Sequence, residues 1–162
     1  MTRQVLRYQV FQQRPSVEAF ASLLRSHSAL TRVMNAQLVN EHGLTINDYE
    51  VMLLLARAPE QQLRRVDLAE SVLLTASGIT RLLDGLERAG YVTKAQCETD
   101  GRVSYAVLTD DGLEKLRQAG KTHVAGIREV FEGRFTDEEL QTLASLLSRL
   151  PADGEPGSCS VD

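Results

Sequence analysis

The sequence predicts a mainly α-helical fold with one small β-hairpin, an α+β arrangement, within 162 residues. Apolar residues recur at the three- and four-residue spacing of amphipathic helices in six segments. Two runs of β-forming residues flank an Asp-Gly pair at positions 100 and 101, which is typical of a tight hairpin turn. Three short helices directly precede this hairpin, and that order predicts a winged helix-turn-helix.

The first predicted helix is long. It starts at Ser16, taken as its N-cap, and ends at Gly43. A helix of roughly 25 residues is about 38 Å long, which is more than one small domain covers. A second helix begins with Thr45 and Asp48 in a capping-box pattern, and Pro59 ends it.

The next two helices are predicted to form the helix-turn-helix. One is short, at 66–72, and the other spans 76–88 behind the N-cap Thr75. Along one stripe of the second helix, apolar residues recur at the spacing of a buried face: Ile79, Leu82, Leu83 and Leu86. Gly90 follows its end.

The hairpin and the last two helices follow. Strands are predicted at 91–97 and 103–108, and Thr109 caps a long helix that reaches about Gly133. Thr136 opens a capping box for a last helix with a continuous leucine stripe.

The outer helices carry more apolar surface than a small winged unit can bury, and a second copy of the chain is the simplest cover for it. The side chains predicted at this dimer contact are Phe20, Leu23, Leu24, Ile127, Phe131, Leu140, Leu143 and Leu147. The predicted organisation is an N-terminal arm at 1–15, a helical dimerisation region at 16–43 and 110–150, a winged helix-turn-helix at 44–109, and a disordered tail at 151–162.

Composition excludes some classes and leaves others open. No run of about 18 apolar residues is present, and residues 1–14 lack the apolar core of a secretory signal. Two cysteines, Cys97 and Cys159, make no disulfide framework, so we expect a cytoplasmic protein. The net charge of −4 argues mildly against nucleic acid, and six basic and six acidic residues cancel between 61 and 102. A DNA-binding chain must therefore sort its basic groups onto one face.

The helix at 76–88 has the pattern of a recognition helix, with an apolar back and a front of small or hydrogen-bonding residues. That front is Ala76, Ser77, Gly78, Thr80 and Arg81. Ser77 and Thr80 can reach bases or phosphates, and Arg81 suits guanine or a phosphate. An ordinary amphipathic helix with a polar outer face explains the same residues equally well.

The hairpin favours the DNA interpretation. Asp100 and Arg102 flank Gly101, so the carboxylate is close enough to orient a guanidinium aimed at the minor groove. A solvated turn with a surface ion pair worth about 0–1 kcal/mol is the alternative. Directly after a helix-turn-helix, the DNA interpretation is the better one.

These residues together resemble the MarR family of bacterial transcription regulators. The matching segments are LT at 44–45, YE at 49–50, LAE at 68–70, TRLLDGLERAGYV at 80–92, the wing Asp100-x-Arg102, LT at 108–109, and Gly112. The resemblance implies a triangular homodimer whose terminal helices intertwine. It also implies that two winged helices straddle a pseudo-palindromic operator, with half-sites about one helical turn, roughly 10 bp, apart.

The resemblance also assigns roles to individual positions. Ser77, Gly78, Thr80 and Arg81 fall on groove-facing positions, Arg102 is the wing arginine, and Arg65 is a phosphate candidate. With Thr75, Ala76 and Asp100, these form the expected DNA-binding set. The sequence departs from the family at Leu73, where a turn glycine is common, at Gly101, where a wing arginine is common, and at Gly78, where a side chain often reads a base. The operator sequence therefore does not follow from the resemblance.

Many members of the family respond to a small phenolic or other aromatic acid. By resemblance the candidate contacts here are His27, Tyr49, Met52, Leu53 and Arg57, although a core or interface role is the simpler explanation of each. We therefore expect a homodimeric repressor that a small ligand releases from DNA. The alternatives are a redox sensor that uses Cys97, and a winged helix that contacts proteins only.

No enzyme motif, metal-ligand spacing or cofactor motif is present in the sequence. We therefore expect neither enzymatic activity, nor a metal, nor a cofactor. The expected partners are double-stranded DNA, a second copy of the chain and a small-molecule effector, without a membrane.

Overall fold

The computed structural model describes residues 14–72, 74–96 and 104–150. Its helices are α1 (Pro15–His42), α2 (Ile46–Arg57), α3 (Arg65–Ser71), α4 (Ala76–Arg88), α5 (Asp110–Glu132) and α6 (Asp137–Leu147). Its strands are β1 (Gln62–Arg64), β2 (Val92–Gln96) and β3 (Ser104–Leu108), and a 3-10 turn at Pro59–Gln61 precedes β1. The predicted fold class, mainly helical with a small antiparallel sheet, is confirmed. The chain divides into two units, whose described parts are residues 14–123 and 124–150, and each is described by itself.

Helix ends in the first unit follow the local sequence. Gly43 ends α1 with a φ of 67°, in the left-handed region that glycine adopts without a steric penalty. Thr45 and Asp48 form the predicted capping box: the Asp48 N–H donates to Thr45 Oγ1 at 3.1 Å, and the Thr45 N–H donates to Asp48 Oδ2 at 2.8 Å. The predicted boundaries at these two positions are confirmed.

Two predicted helix starts are wrong. Ser16 is not an N-cap, because α1 begins at Pro15 and Arg14 is the capping position, without a side-chain bond to the helix. Proline suits the first helical position, since its φ is already helical and it has no N–H to leave unpaired. The short helix begins at Arg65 rather than Val66, so Arg65 belongs to its first turn.

The sheet has three strands in the order β1-β3-β2, and both pairings are antiparallel. Ala106 of the central strand lies opposite Leu63 on one side and Lys94 on the other. The hairpin formed by β2 and β3 is the predicted one. The sequence did not predict β1, because three residues are too few to show an alternating pattern.

The core of the first unit is apolar, and among the described residues no polar or charged side chain is buried in it. It joins α1, α2, α3, α4, the sheet and the start of α5 through Leu38, Leu44, Val51, Met52, Leu55, Leu68, Ile79, Leu83, Leu86, Val92, Ala106, Leu108, Leu116 and Ala119. The core therefore fixes α4 against the sheet with its polar face outward. Over the described stretches, no helix has the length and apolar character needed to cross a membrane.

The second unit, residues 124–150, contains the end of α5 and all of α6. Thr136 and Glu139 form the predicted capping box at the start of α6. The rings of Phe131 and Phe135 lie 6.2 Å apart between centroids. No side chain of α6 is buried, and Leu146 is 53% exposed. The leucine stripe is thus left uncovered within this unit.

Candidate nucleic-acid interface

Helices α3 and α4 form the helix-turn-helix, and α4 is strongly two-sided. Ile79, Leu83 and Leu86 are buried, as predicted, because residues three and four apart share one face of a helix. Arg81 and Arg88 lie exposed on the other side. An apolar back held by the core leaves this polar front free to meet a partner. Leu73, in the turn, lies outside the described residues.

The N-terminus of α4 is capped and exposed. Thr75 Oγ1 accepts a hydrogen bond from the Gly78 N–H at 3.1 Å and lies 3.2 Å from Ser77 Oγ. Thr75, Ala76 and Ser77 are all exposed. Three small side chains at the positive end of a 13-residue helix let a phosphate backbone or a base edge come close to the main chain.

Gly78 packs closely against the residues that begin α4. A Cβ at this position would lie 3.2 Å from Thr75 Oγ1 and 3.6 Å from Leu74 Cβ. A larger side chain would therefore press on the cap that begins α4. The contact is tight enough that the Thr75 side chain would have to move by a few tenths of an ångström to accept a Cβ.

Arg65 and Thr80 are in direct contact. Arg65 Nη2 donates a hydrogen bond to Thr80 Oγ1, and Thr80 Oγ1 donates to the Ala76 carbonyl oxygen at 2.7 Å. Arg65, from the first turn of α3, thus lies beside the outer face of α4. Two residues that were predicted as separate DNA contacts are joined in one hydrogen-bonded pair.

Lys94 pairs with both acidic residues of α4. Its Nζ lies 2.9 Å from Asp84 Oδ1 and 2.6 Å from Glu87 Oε2. The hydrogen bond to Glu87, followed by that to Asp84, raises the pKa of Lys94. The hydrogen bond from Lys94 is also the main cause that lowers the pKa of Asp84. One lysine of β2 therefore pairs with two carboxylates of α4 and favours the charged form of Asp84.

A second ion pair acts on α3. The Arg64 guanidinium donates to both carboxylate oxygens of Asp67, at 2.7 and 2.6 Å. This contact lowers the pKa of Asp67 and raises that of Arg64. Among the described residues, Arg65 and Arg81 form no ion pair. The fold thus sorts charges that cancel in the sequence: of the described groups in this stretch, Asp67, Asp84 and Glu87 are paired, while Arg65, Arg81 and Arg88 form no ion pair.

The sequence did not identify Lys94 as part of this surface. Asp84 and Glu87 are three residues apart on the predicted recognition helix, so a basic partner was needed on whichever element lies beside them. That element is β2, and the pairing depends on the hairpin packing against α4. The sequence predicts the strand that contains Lys94, but it does not show that this strand lies beside Asp84 and Glu87.

The base of the wing is held by Thr109 and Gly112. Thr109 Oγ1 donates to the Gly90 carbonyl oxygen at 2.7 Å and accepts from the Gly112 N–H at 3.0 Å. A Cβ on Gly112 would lie 2.1 Å from the Tyr91 carbonyl oxygen. The T-x-x-G pattern therefore joins the start of α5 to the turn between α4 and β2. The predicted wing-tip residues Asp100, Gly101 and Arg102, and also Cys97, lie outside the described residues.

The five residues expected to contact an effector are not brought together within the first unit as one polar cluster. His27 and Arg57 are exposed, Leu53 is half-buried, and Met52 is fully buried in the core. Tyr49 is half-buried and packs against His123, with 4.9 Å between ring centroids. Over the described residues, no group of three or more His, Cys, Asp or Glu side chains is placed to hold a metal ion.

His123 was not selected from the sequence. Its Nδ1 is buried without a hydrogen-bond partner, and burial lowers the pKa of the imidazole. The signal was its place seven residues after the buried Leu116, on the same face of α5. A neighbouring histidine, His42, is different, because its Nε2 lies 2.7 Å from Thr122 Oγ1.

The predicted dimer residues are largely uncovered within each unit. In the first unit, Phe20, Leu23 and Leu24 are exposed on α1, with Phe20 at 61%. In the second, Ile127 and Leu147 are exposed, while Phe131, Leu140 and Leu143 are half-buried.

Known proteins resemble this chain over most of its length. A family model described as "MarR family" matches residues 42–103. The HTH-type transcriptional repressor YetL of Bacillus subtilis is 31% identical over 135 residues, which is 83% of this chain and 80% of YetL. The homoprotocatechuate degradative operon repressor of Escherichia coli is 29% identical over 117 residues, which is 72% of this chain and 77% of that protein.

A solved structure supports the same resemblance. Sco3205, a MarR family transcriptional regulator from Streptomyces coelicolor that was solved in complex with DNA, superposes with a TM-score of 0.72 at 28% identity. The match covers 80% of this chain and 81% of Sco3205.

Proposed function

This chain belongs to the MarR family of DNA-binding transcriptional regulators, and we propose that it acts as a homodimeric repressor on a pseudo-palindromic operator. The observation that carries the proposal is the outer face of α4, where small residues and Arg81 are exposed while Lys94 forms ion pairs with both nearby carboxylates. In this proposal residues 44–109 form the DNA-binding domain, and residues 16–43 and 110–150 form the dimerisation region.

The proposed contacts follow from the shape of the two grooves. Helix α4 enters the major groove with its first turn, so that Ser77 and Arg81 meet base edges and the small residues Thr75 and Ala76 permit the approach. Arg102 enters the minor groove, oriented by Asp100. Phosphate contacts from Arg65 and the positive end of α4 set the register on the duplex.

The proposed dimer is supported by the apolar side chains that each unit leaves uncovered. Phe20 and Leu24 on α1 are half or more exposed, as is Leu146 in the second unit. Exposed apolar surface of this kind is typical of a protein contact, and a closed two-fold dimer buries the same surface on both copies.

A small aromatic acid is the proposed effector. A relative of this chain carries the name of a homoprotocatechuate degradative operon repressor, and the residues Tyr49, His27 and Arg57 offer an aromatic ring, an imidazole and a guanidinium. An aromatic ring would stack on Tyr49 beside Leu53, and the carboxylate would pair with a basic side chain such as His27 or Arg57. The effector would release the repressor from DNA if it binds more tightly to a dimer in which the α4 helices of the two subunits are spaced differently from the operator half-sites.

Fluorescence anisotropy with labelled DNA from upstream of the chain's own gene tests the repressor proposal. We expect binding that weakens steeply between 50 and 200 mM salt, because phosphate contacts release counterions. Arg81→Ala should change the preferred base at one position per half-site, whereas Arg117→Ala, an exposed arginine on α5, should not. Undetectable or salt-insensitive binding at low salt would contradict the DNA-binding role and favour a winged helix that contacts proteins.

Two further measurements separate the parts of the proposal. Light scattering at micromolar concentration should give the mass of a dimer, and a monomer would refute the intertwined assembly. Homoprotocatechuate or salicylate should displace the operator at a concentration that also raises the melting temperature. Displacement by peroxide that a thiol reverses, with no response to either acid, would instead favour the redox alternative through Cys97.

A further inference from the structure

The hydroxyl of Thr80 already uses its donor and one of its two acceptor sites. A threonine hydroxyl offers one donor and two acceptor sites. Its donor is used within α4, toward the Ala76 carbonyl oxygen at 2.7 Å, and one acceptor site receives Arg65 Nη2. A side chain in this state has no hydrogen left to give to a base edge.

Arg65, in contrast to Thr80, keeps most of its hydrogen-bond donors unused by the described residues. A guanidinium carries five N–H donors, and the bond to Thr80 uses one of them. Among the described residues, no carboxylate pairs with Arg65. Its charge and its remaining donors are therefore available to an anion at the surface formed by α3 and α4.

Asp84 is the carboxylate that would otherwise compete for Arg65. It lies one helical turn after Thr80 on the same face of α4. Lys94 holds the Asp84 carboxylate at 2.9 Å from the side of the hairpin. Asp84 is thereby engaged by β2, and its pKa is lowered mainly by the Lys94 hydrogen bond and further by the nearby charge of Arg65. No ion pair joins Arg65 to Asp84, and the side-chain hydrogen bond that Arg65 forms is the one to Thr80.

We propose that Thr80 is a positioning residue, which holds the Arg65 guanidinium across the helix-turn-helix so that Arg65 binds a DNA phosphate, and that Thr80 itself does not read a base. This inference rests on the proposed DNA-binding function. A long arginine side chain has many rotamers, and a hydrogen bond formed before DNA arrives reduces the freedom lost on binding. Thr80 thus contributes to affinity for every operator sequence rather than to base preference.

Four variants test this by anisotropy on the operator and on base-substituted operators: Thr80→Val, Thr80→Ser, Arg65→Ala and the double variant Thr80→Val with Arg65→Ala. Valine keeps the branched shape of threonine without its hydroxyl. We expect Thr80→Val to weaken binding by roughly three- to tenfold per subunit, the loss of one hydrogen bond, on all operators alike. Thr80→Ser should retain the affinity of the unchanged protein.

The salt dependence and the double variant identify the mechanism. Arg65→Ala should reduce the slope of log K against log salt by about one per subunit, because one phosphate contact is lost. Thr80→Val should reduce that slope in the same direction, and it should have no further effect when Arg65 is already alanine. A Thr80→Val variant with an unchanged salt slope and an altered base preference would overturn the proposal, as would additive losses in the double variant.

Separate controls test whether each variant folds and whether the unchanged protein binds DNA. Circular dichroism melting and light scattering establish that each variant is folded and in the same assembly as the unchanged protein, and Thr80→Ala replaces Thr80→Val if valine fails to fold. If the unchanged protein does not bind DNA, the proposed function fails. If it binds with the expected salt dependence and Arg65→Ala has no effect, only the role of Thr80 and Arg65 fails.

Discussion

The two units of the chain differ in how far each buries its own apolar side chains. In residues 14–123 the large apolar side chains of five helices and a sheet meet in one core, in which Leu38, Leu55 and Leu68 are 0% exposed. In residues 124–150 the last helix buries no side chain at all. Both units have the same local signals, with capping boxes at Thr45 and Thr136. Local sequence therefore specifies helices equally well in both units. The units differ in burial: the first has a buried apolar core, whereas the leucine side chains of α6 in the second stay exposed within that unit.

The largest expected effect comes from removing a core leucine of the first unit. Leu83→Ala should lower the free energy of unfolding by about 2–5 kcal/mol, because it leaves a cavity behind α4. Leu147→Ala is the matched control from the second unit, where the side chain is 41% exposed. It should change the stability of the single chain by under about 0.5 kcal/mol.

Chemical denaturation and sedimentation together measure this contrast. Under the proposed dimer, Leu147→Ala should instead raise the dissociation constant of the dimer, while Leu83→Ala should leave that constant nearly unchanged wherever the protein is folded. Equal losses of unfolding free energy at dilutions where only monomer is present would erase the difference between the two units.

A second, smaller effect is expected at the junction between the wing and α5. Gly112→Ala places a methyl group 2.1 Å from the Tyr91 carbonyl oxygen, so the first turn of α5 must move. We expect a loss of about 1–3 kcal/mol, typical of overpacking, measured by urea denaturation. Gly85→Ala on α4 is the control, because a Cβ there meets nothing within 4 Å and alanine is the better helix former. A Gly112→Ala variant as stable as Gly85→Ala would show that this contact does not constrain α5.

Much of the fold was predictable because its signals are local. The caps at Gly43, Thr45 and Thr75 depend on residues a few positions apart, and so does the amphipathic pattern of α4. The strand β1 was missed, since only its pairing with β3 makes it a strand. The prediction of Ser16 as the N-cap is wrong because it relies on a polar capping side chain, whereas Pro15 begins α1 through its fixed helical φ.

The residues of the candidate site could be predicted from the sequence, but the hydrogen bonds and ion pairs between them could not. The sequence places Thr80, Arg81 and Arg65 near one surface, yet it does not tell which hydroxyl is occupied and which guanidinium is free. Those facts depend on contacts between α3, α4 and β2, which are 10 to 15 residues apart in the chain. The zero charge of residues 61–102 was uninformative for the same reason, since pairing in space decides which charges remain.

The next expected effect is a loss of operator affinity when the ion pairs of Lys94 with Asp84 and Glu87 are removed. Lys94→Gln releases Asp84 and Glu87 from their shared cation and leaves two negative charges on α4. Operator affinity should fall several-fold at low salt and less at high salt, because screening weakens repulsion of the phosphates. Stability should change little, since all three groups are well exposed.

The control for this charge effect is a triple variant that combines Lys94→Gln with Asp84→Asn and Glu87→Gln. If repulsion is the cause, that variant should recover the affinity that Lys94→Gln loses. No recovery would mean that Lys94 itself contacts DNA. Either result is read by anisotropy across a salt series.

The smallest expected effect is the pH response of His123, the last residue of the first unit. Burial lowers its pKa in the folded chain, so the unfolded chain takes up a proton first as the pH falls below about 6.5. The stability due to neutral His123 is therefore complete above that pH, and it is lost as the pH falls toward the lower folded pKa. His123→Gln should flatten this part of the curve of unfolding free energy against pH, while His27→Gln, at an exposed position of α1, should leave it in place. The carboxylates Asp67 and Asp84 also have lowered pKa values, but their ordinary value is 3.8, so their contribution is lost only at more acidic pH. A curve that keeps its slope near pH 6 in His123→Gln would show that the buried, unpartnered Nδ1 does not set the acid response of this unit.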